Sequence, residues 1–296
     1  MPYAKNGDHE ICFEEFGSAE DEALLLVNGY RSQMINYDEA FCELLTTHDF
    51  RVIRFDNRDV GLSKKTEGPA PEFEWPSKPG ERAKLKGDPP YTVSDMAADG
   101  IAILDHLGID RAHICGMSMG GMIVQVMAIN HPDRVLSMTS IMSTTGDPNL
   151  RAQATPEALA ALGAVPPTDR AEYIEHAVKT GRAISGPLFD PDRARARAER
   201  NYDRSFYPQG AAFQMAAVIS DGDRTERLAR VRCPALVIHG RVDPLVPLAG
   251  GEATAKAIER AELLVLDEMG HDLPPKLWPQ IASAIAGVAQ RARASA

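Results

Sequence analysis

The stretch AHICGMSMGGMIV, residues 112–124, decides how this chain is read. AHIC is an apolar run too short for a helix and suited to a strand. Gly116 and Gly120 then bracket Ser118 in a G-x-S-x-G pattern. Small and apolar residues continue from Gly120 to Ile129, until His131-Pro132 stops them. The five-residue pattern alone is a weak signal, but a strand directly before it and a helix directly after it make it a strong one. In so sharp a turn a side chain at 116 or 120 would run into neighbouring backbone, so glycine is expected at both. The serine hydroxyl then stands exposed, and the positive end of the following helix favours negative charge developing beside it. The plainer alternative is a tight turn with an incidental serine.

Outward from this point the same rhythm repeats. Ala23–Val27, Arg51–Phe55, Leu136–Ile141, Ala235–Ile238 and Leu263–Leu266 are short apolar runs, most of them ending at Gly, Asn or Asp. Runs like these suit strands buried on both faces, as in a parallel sheet. His9–Phe16 alternates instead and reads as an antiparallel edge hairpin. Between the runs lie helical patterns. One has Ser94 as its N-cap, Ala97, Ile101, Leu104 and Leu107 at helical spacing, and Gly108 as its stop; another spans Trp278 to Arg291 with Ile281, Ile285 and Val288. Strand–helix alternation predicts an α/β fold with a doubly wound, mostly parallel sheet.

Two segments interrupt the alternation. Ser63 to Tyr91 is rich in proline and glycine without apolar periodicity and reads as a long loop, either bordering a site or running over the surface. Residues 146–226 are rich in Ala, Arg and Glu, with helix starts at Thr155-Pro156 and Asp190-Pro191. They read as a helical cap inserted into a core made of residues 1–145 and 227–296.

The chain has 296 residues, enough for one large domain with an insertion. Its net charge of −10 speaks against nonspecific binding to nucleic acid or to an anionic membrane. Cys12, Cys42, Cys115 and Cys233 form no CxxC pair and no zinc spacing, so neither a metal nor another cofactor is expected. The N-terminal residues do not read as a signal peptide, and no apolar run approaches the ~18–20 residues of a membrane span. A cytoplasmic protein is expected; the sequence says nothing of its oligomeric state.

Leu24–Gly29, VIRFDNRDVGLS (52–63), GMSMGG, VIHGRVDPLVP and EMGHDLP together resemble the landmarks of the α/β-hydrolase fold superfamily over essentially the whole chain. DNRDVGLS and MGHDLP look most like cap-bearing serine esterases of the aclacinomycin methylesterase kind. The resemblance implies a catalytic triad in the order Ser, Asp, His. Asp243 follows the strand ALVIHG and His271 follows LLVL, both just past strand ends, where open α/β sheets place their sites. His271 would take the Ser118 proton and return it to the leaving alcohol, while Asp243 holds the imidazole. His239 is the nearest rival base and reads as a supporting residue; Asp267 and Asp272 are less aptly placed than Asp243. The oxyanion hole would use the backbone N–H of Met119 and, from the turn after ALLLV, that of Tyr30. Many relatives have His-Gly at that turn and this chain has Asn28-Gly29, which leaves open how residue 28 braces it. Arg58-Asp59 reads as a loop-bracing ion pair.

A serine nucleophile implies a small-molecule carboxylic ester as substrate. No cationic cluster suggests a phosphorylated or strongly acidic one, so a medium-sized, mainly apolar ester is expected, a methyl ester among the candidates. Met142, Phe213, Met215 and Leu245 are candidates for an apolar substrate wall, each with a core role as the alternative. Arg31 either reaches a substrate carbonyl or is simply exposed. The same triad also serves carbon–carbon bond hydrolases, lactonases and perhydrolases, and a hydrolase scaffold can serve as a ligand receptor.

Overall fold

The alternating strand and helix patterns build one sheet with helices on both sides. The computed structural model describes residues 1–75, 80–151 and 153–294. In chain order the first half holds β1 (Tyr3–Asn6), β2 (His9–Phe16), β3 (Glu22–Val27), α1 (Glu39–Thr46), β4 (Phe50–Phe55), β5 (Glu72–Glu74), β6 (Lys84–Lys86), α2 (Val93–His106), β7 (Ala112–Met117), α3 (Met119–Asn130) and β8 (Val135–Ile141). Then come α4 (Pro148–Arg151), α5 (Pro156–Gly163), α6 (Arg170–Ile184), α7 (Pro191–Arg204), α8 (Gly210–Asp221), α9 (Thr225–Leu228), β9 (Ala235–Gly240), α10 (Leu248–Ala257), β10 (Ala261–Leu266) and α11 (Trp278–Ala294).

The main sheet has the order β1-β2-β4-β3-β7-β8-β9-β10. From β4 to β10 every neighbouring pair is parallel, and β1 and β2 form the antiparallel edge hairpin that the alternation of His9–Phe16 predicts. Side chains alternate across the sheet. Leu25 and Val27 therefore join one apolar core with α2 and α3, while Leu24 and Leu26 join the other with α1 and α11. Parallel register aligns the strand ends: Val27 lies beside Gly116, Met117 beside Ile141, Ile141 beside Ile238, and Leu266 beside Gly240. The turns that leave β3, β7, β9 and β10 consequently open on one edge of the sheet.

Three local expectations change. Helix α2 starts two residues earlier than a Ser94 cap implies: Thr92 caps it and exchanges a capping box with Asp95. The run Leu263–Leu266 is not buried on both faces, because β10 is the sheet's last strand with only β9 beside it; Leu263 is 38% exposed. The stretch from Ser63 to Tyr91 is not all loop, since β5 and β6 pair as a short antiparallel ribbon; positions 76–79 within it lie outside the described residues.

Between β8 and β9 the described residues form six helices and no strand. Thr155 and Asp190 cap α5 and α7 with proline at the first turn, as the sequence pattern requires. These helices are fastened to the rest of the chain by Arg200 on Glu39, a carboxylate that Arg54 of β4 also reaches, by Arg193 on Asp38, and by Arg204 on the buried Asp56. Among the described residues no helix is long and apolar enough to cross a membrane.

Candidate active site

The turn from β7 into α3 holds Ser118 at φ 55° and ψ −118°, a conformation a side-chain-bearing residue keeps only when its surroundings enforce it. The enforcement is visible. Ser118 donates its N–H to the Ile141 carbonyl (2.9 Å) and accepts on its own carbonyl from Ser143 Oγ (2.8 Å). A Cβ on Gly116 would stand 2.8 Å from Gly121 N and nearer still to the Gly120 carbonyl; one on Gly120 would stand 2.7 Å from the Asn28 carbonyl oxygen and nearer to that of Val27. Both glycines are therefore steric necessities of the turn.

Asp243 and His271 come to this serine from the ends of β9 and β10. His271 Nε2 lies 2.9 Å from Ser118 Oγ, and His271 Nδ1 lies 2.7 Å from Asp243 Oδ2. Asp243 is buried, and its other oxygen accepts the N–H groups of Leu245 and Val246, each at 2.9 Å. A carboxylate can only accept, so in the neutral ring Nδ1 carries the proton and Nε2 presents its lone pair to the serine hydroxyl. The arrangement can draw a proton from Ser118.

The rival groups are occupied elsewhere. His239 is buried and donates from Nε2 to the Val246 carbonyl (2.8 Å), so it props the turn that carries Asp243; burial pushes its pKa down and keeps it neutral. Asp267 pairs with Arg241 (2.6 Å) at the surface. Asp272 turns back on its own loop, accepting from Gly270 N (3.1 Å) and Gly186 N (3.4 Å), and burial pushes its carboxyl up. His271 itself donates its N–H to the Ile184 carbonyl (2.8 Å). The loop of His271 is thus tied to the end of α6, across a contact so close that a Cβ on Gly186 would stand 2.7 Å from Gly270 N.

Gly29 passes over the serine, and a Cβ there would stand 3.2 Å from Ser118 Cβ. The next residues, Tyr30 and Arg31, turn away under the control of Gln214. Arg31, at φ 60°, donates its N–H to Gln214 Oε1 (2.9 Å), and Gln214 Nε2 donates to the Arg58 carbonyl (2.9 Å). Among the described residues neither the Tyr30 N–H nor the Met119 N–H is donated to another protein group. Asn28 braces the turn through its backbone carbonyl, which accepts from Asn57 Nδ2 (3.0 Å); its own buried amide meets no polar partner among the described residues. Gln214 and Ser143 were not picked out in the sequence. The available signal for Gln214 was a lone amide inside the otherwise apolar helix GAAFQMAAVI.

A cavity of about 180 Å³ opens at Ser118, and Met119, Met122, Met215 and Leu245 help line it. Glu81 and Arg82 border it too, so the proline-rich stretch reaches the site. Met142 and Phe213 do not line it. Met142, at φ 43°, donates its N–H to the Ile238 carbonyl and packs into the core beneath the sheet. Phe213 lies two residues from Met215, about 200° around a helix. Phe213, Ala216 and Ala217 therefore face the core while Met215, Val218 and Ile219 face the cavity. Arg31 is neither free nor aimed at the serine: its guanidinium donates to the Ala164 (3.0 Å) and Leu162 (3.4 Å) carbonyls at the end of α5. Arg58 and Asp59 do not pair with each other. Arg58 makes two bonds to buried Asp99 (2.5 and 2.7 Å), and Asp59 accepts from Thr66 and Tyr91, so the loop is braced from two sides. Among the described residues no group of three or more His, Cys, Asp or Glu side chains is placed to hold a metal ion.

A mostly parallel sheet of this order with a serine at the turn from β7 into α3 defines a class. Residues 22–275 match the alpha/beta hydrolase fold family, and the chain belongs to it. It is similar to rhodomycin D methylesterase of Streptomyces peucetius, at 26% identity over 95% of each chain. It is likewise 26% identical to 3-oxoadipate enol-lactonase 2 of Acinetobacter baylyi, over 88% of this chain and 86% of that protein. Its fold is shared with a meta-cleavage product hydrolase from Pseudomonas fluorescens, with a TM-score of 0.75 at 19% identity, covering 99% of this chain and 98% of that one.

Proposed function

We propose that this carboxylic-ester hydrolase works through a covalent acyl-enzyme on Ser118. The observation that carries the reading is the unbroken chain of two hydrogen bonds from Asp243 through His271 to the Ser118 hydroxyl, 2.7 and 2.9 Å. His271 Nε2 takes the hydroxyl proton as Oγ attacks the ester carbonyl carbon. The oxygen that gains charge accepts from the N–H groups of Tyr30 and Met119. Collapse breaks the carbon–oxygen bond to the alcohol, which leaves with the proton held by His271. A water molecule then gives its proton to the same nitrogen as it attacks the acyl carbon; the carbon–Oγ bond breaks, Ser118 Oγ takes that proton back from His271, and the acid leaves. Asp243 keeps the imidazole in the required tautomer throughout.

Residues 146–226 act as a cap on a core of residues 1–145 and 227–296. The substrate is a medium-sized, mainly apolar small molecule, with a methyl ester as the preferred case. The apolar lining beside Ser118 and the similarity to a methylesterase over 95% of the chain support this. Four cysteines without a disulfide fit work in the cytoplasm. A lactone is an ester closed into a ring, and the similarity to an enol-lactonase makes it the second substrate class to test.

Labelling with a fluorophosphonate should add one adduct at Ser118, and methyl and nitrophenyl esters should be turned over. Ser118→Ala should lower kcat by about 10⁴–10⁶ while the thermal transition stays in place. Full activity in that variant would end the proposal.

A further inference from the structure

The chain after α8 returns to the core through Arg224, a side chain that the triad does not use. Arg224 is buried, and its guanidinium is bonded on three sides. Nε donates to Gln125 Oε1 of α3 (2.9 Å), Nη1 to Asp221 Oδ2 at the end of α8 (2.5 Å), and Nη2 to the Thr144 carbonyl in the loop leaving β8 (2.8 Å). Its backbone N–H donates to the Thr145 carbonyl (2.7 Å). A buried charge is tolerated only when it is paired and hydrogen-bonded, and the flat guanidinium fixes where its partners stand. One residue thus sets the positions of α3, α8 and the loop after β8 against one another.

The same place brings together the two ends of the segment between β8 and β9. A Cβ on Gly146 would collide with the Gly222 carbonyl oxygen, so the outgoing and returning chains touch there. Asp221 also takes Arg227 (2.8 Å), which gives its charge a second cation. Gln125 is buried as well and carries the linkage on, donating from Nε2 to Ser140 Oγ of β8 (3.2 Å). The loop that Arg224 holds has Ser143 directly before Thr144. Ser143 Oγ donates to the Ser118 carbonyl (2.8 Å), and a Cβ on Gly121 would stand 2.5 Å from Ser143 Cβ. The third glycine of GMSMGG is therefore the space into which Ser143 fits. The path from Arg224 to the Ser118 backbone is a pair of hydrogen bonds joined across the Ser143–Thr144 peptide.

We infer that Arg224 is a positioning residue for the nucleophile: it holds the loop of Ser143 so that the Ser143 hydroxyl keeps Ser118 in its strained turn. The inference rests on the acyl-enzyme reading of Ser118. A serine at φ 55° relaxes toward an ordinary conformation once its support is withdrawn, and Oγ then leaves its place 2.9 Å from His271 Nε2. A displacement of about 1 Å costs on the order of 100-fold in rate. Arg224 borders the cavity at Ser118, but each of its guanidinium nitrogens already serves a protein acceptor, so its action runs through the loop.

The test follows Ser118 itself. The rate of fluorophosphonate labelling, with kcat and KM for nitrophenyl acetate, is measured well below the thermal midpoint for the parent, Arg224→Lys, Ser143→Ala and the double variant. Lysine keeps a charge for Asp221 but cannot hold Gln125 and Thr144 at the same time. In Arg224→Lys, labelling and kcat should fall about 10–100-fold with KM within about twofold of the parent. The double variant should be no slower than the slower single one, because both changes act through one hydrogen bond. Should Arg224→Lys not fold, Gln125→Leu takes its place in the cycle: it removes the acceptor of Nε, leaves the other two bonds, and should give the same non-additive fall. A labelling rate within about twofold of the parent in the folded variant, effects that multiply in the double variant, or a rise in KM with kcat held overturns the positioning role. A parent that takes no adduct at Ser118 overturns the acyl-enzyme reading instead.

Discussion

Replacing Asp243 by Asn tests the triad with the smallest change of shape. The two carboxylate oxygens of Asp243 have different duties: Oδ1 accepts from Leu245 N and Val246 N, and Oδ2 accepts from His271 Nδ1. An amide has one acceptor and one donor end. Two backbone N–H groups at 2.9 Å demand the acceptor, so the Asn oxygen takes the Oδ1 position and its NH₂ faces His271. The imidazole must then accept at Nδ1 and carry its proton on Nε2, pointing at Ser118, where a lone pair is needed. The reverse placement would set NH₂ against two N–H groups and leave both without acceptors, at ~1–3 kcal/mol each. The wrong tautomer is thus the stable one. A triad caught in that tautomer loses roughly 10⁴ in kcat, or ~5.5 kcal/mol of barrier. The assay is steady-state hydrolysis of a nitrophenyl ester together with the rate of phosphonate labelling, and both should fall in parallel. The thermal midpoint should move little, since size and neighbours are kept. Activity within tenfold of the parent would refute the reasoning, because it would mean that the orientation of His271 does not depend on Asp243.

Three further outcomes follow from the geometry. Gly116→Ala places a Cβ 2.8 Å from Gly121 N and closer to the Gly120 carbonyl, atoms of backbone that cannot yield; a cost of about 3 kcal/mol and a midpoint lowered by roughly 6–12 °C are expected by calorimetry. Gln214→Leu strips the partners from Arg31 N and the Arg58 carbonyl, costs ~1–3 kcal/mol of stability, and should lower kcat about 10–100-fold with KM held, since it frees the turn that carries the Tyr30 N–H. The Arg200 guanidinium, with Arg54 behind it, holds the Glu39 carboxyl at about 2 against an ordinary 4.5. A carboxyl depressed in the folded state stabilises above its unfolded value, and that contribution is lost as pH falls from about 4.5 toward 2. Glu39 is 37% exposed, so screening keeps the effect under about 1 kcal/mol; Glu39→Gln should flatten that limb of the midpoint–pH curve and leave the neutral region alone.

The edge that carries the candidate site is legible in the sequence because it is written in local signals. Apolar runs that stop at Gly or Asp mark strand ends, and parallel strands bring those ends together whatever lies between them. Ser118, Asp243 and His271 all sit at such ends. Where the reading went astray, a residue's role depended on phase or on a distant neighbour. Phe213 and Met215 look alike in a list of apolar candidates, but 200° of helix separates core from cavity. The same holds for Met142, which a positive φ turns beneath the sheet. Arg31 looks like a surface arginine until the end of α5 supplies carbonyls for it. Strands β5 and β6 are three residues each, with no periodicity long enough to announce them. Thr92 was missed in favour of Ser94 because the capping box uses Asp95 in place of the commoner Glu.

The bond from His271 N to the Ile184 carbonyl has a mechanical consequence. The end of α6 and the imidazole are parts of one linkage, held by Gly186 against Gly270 and by Asp272 reaching both. Any swing that lifts this corner off the sheet drags the imidazole from the serine. Entry of substrate by that route would disarm the site at the moment of loading. The corner behaves as a fixed hinge pin.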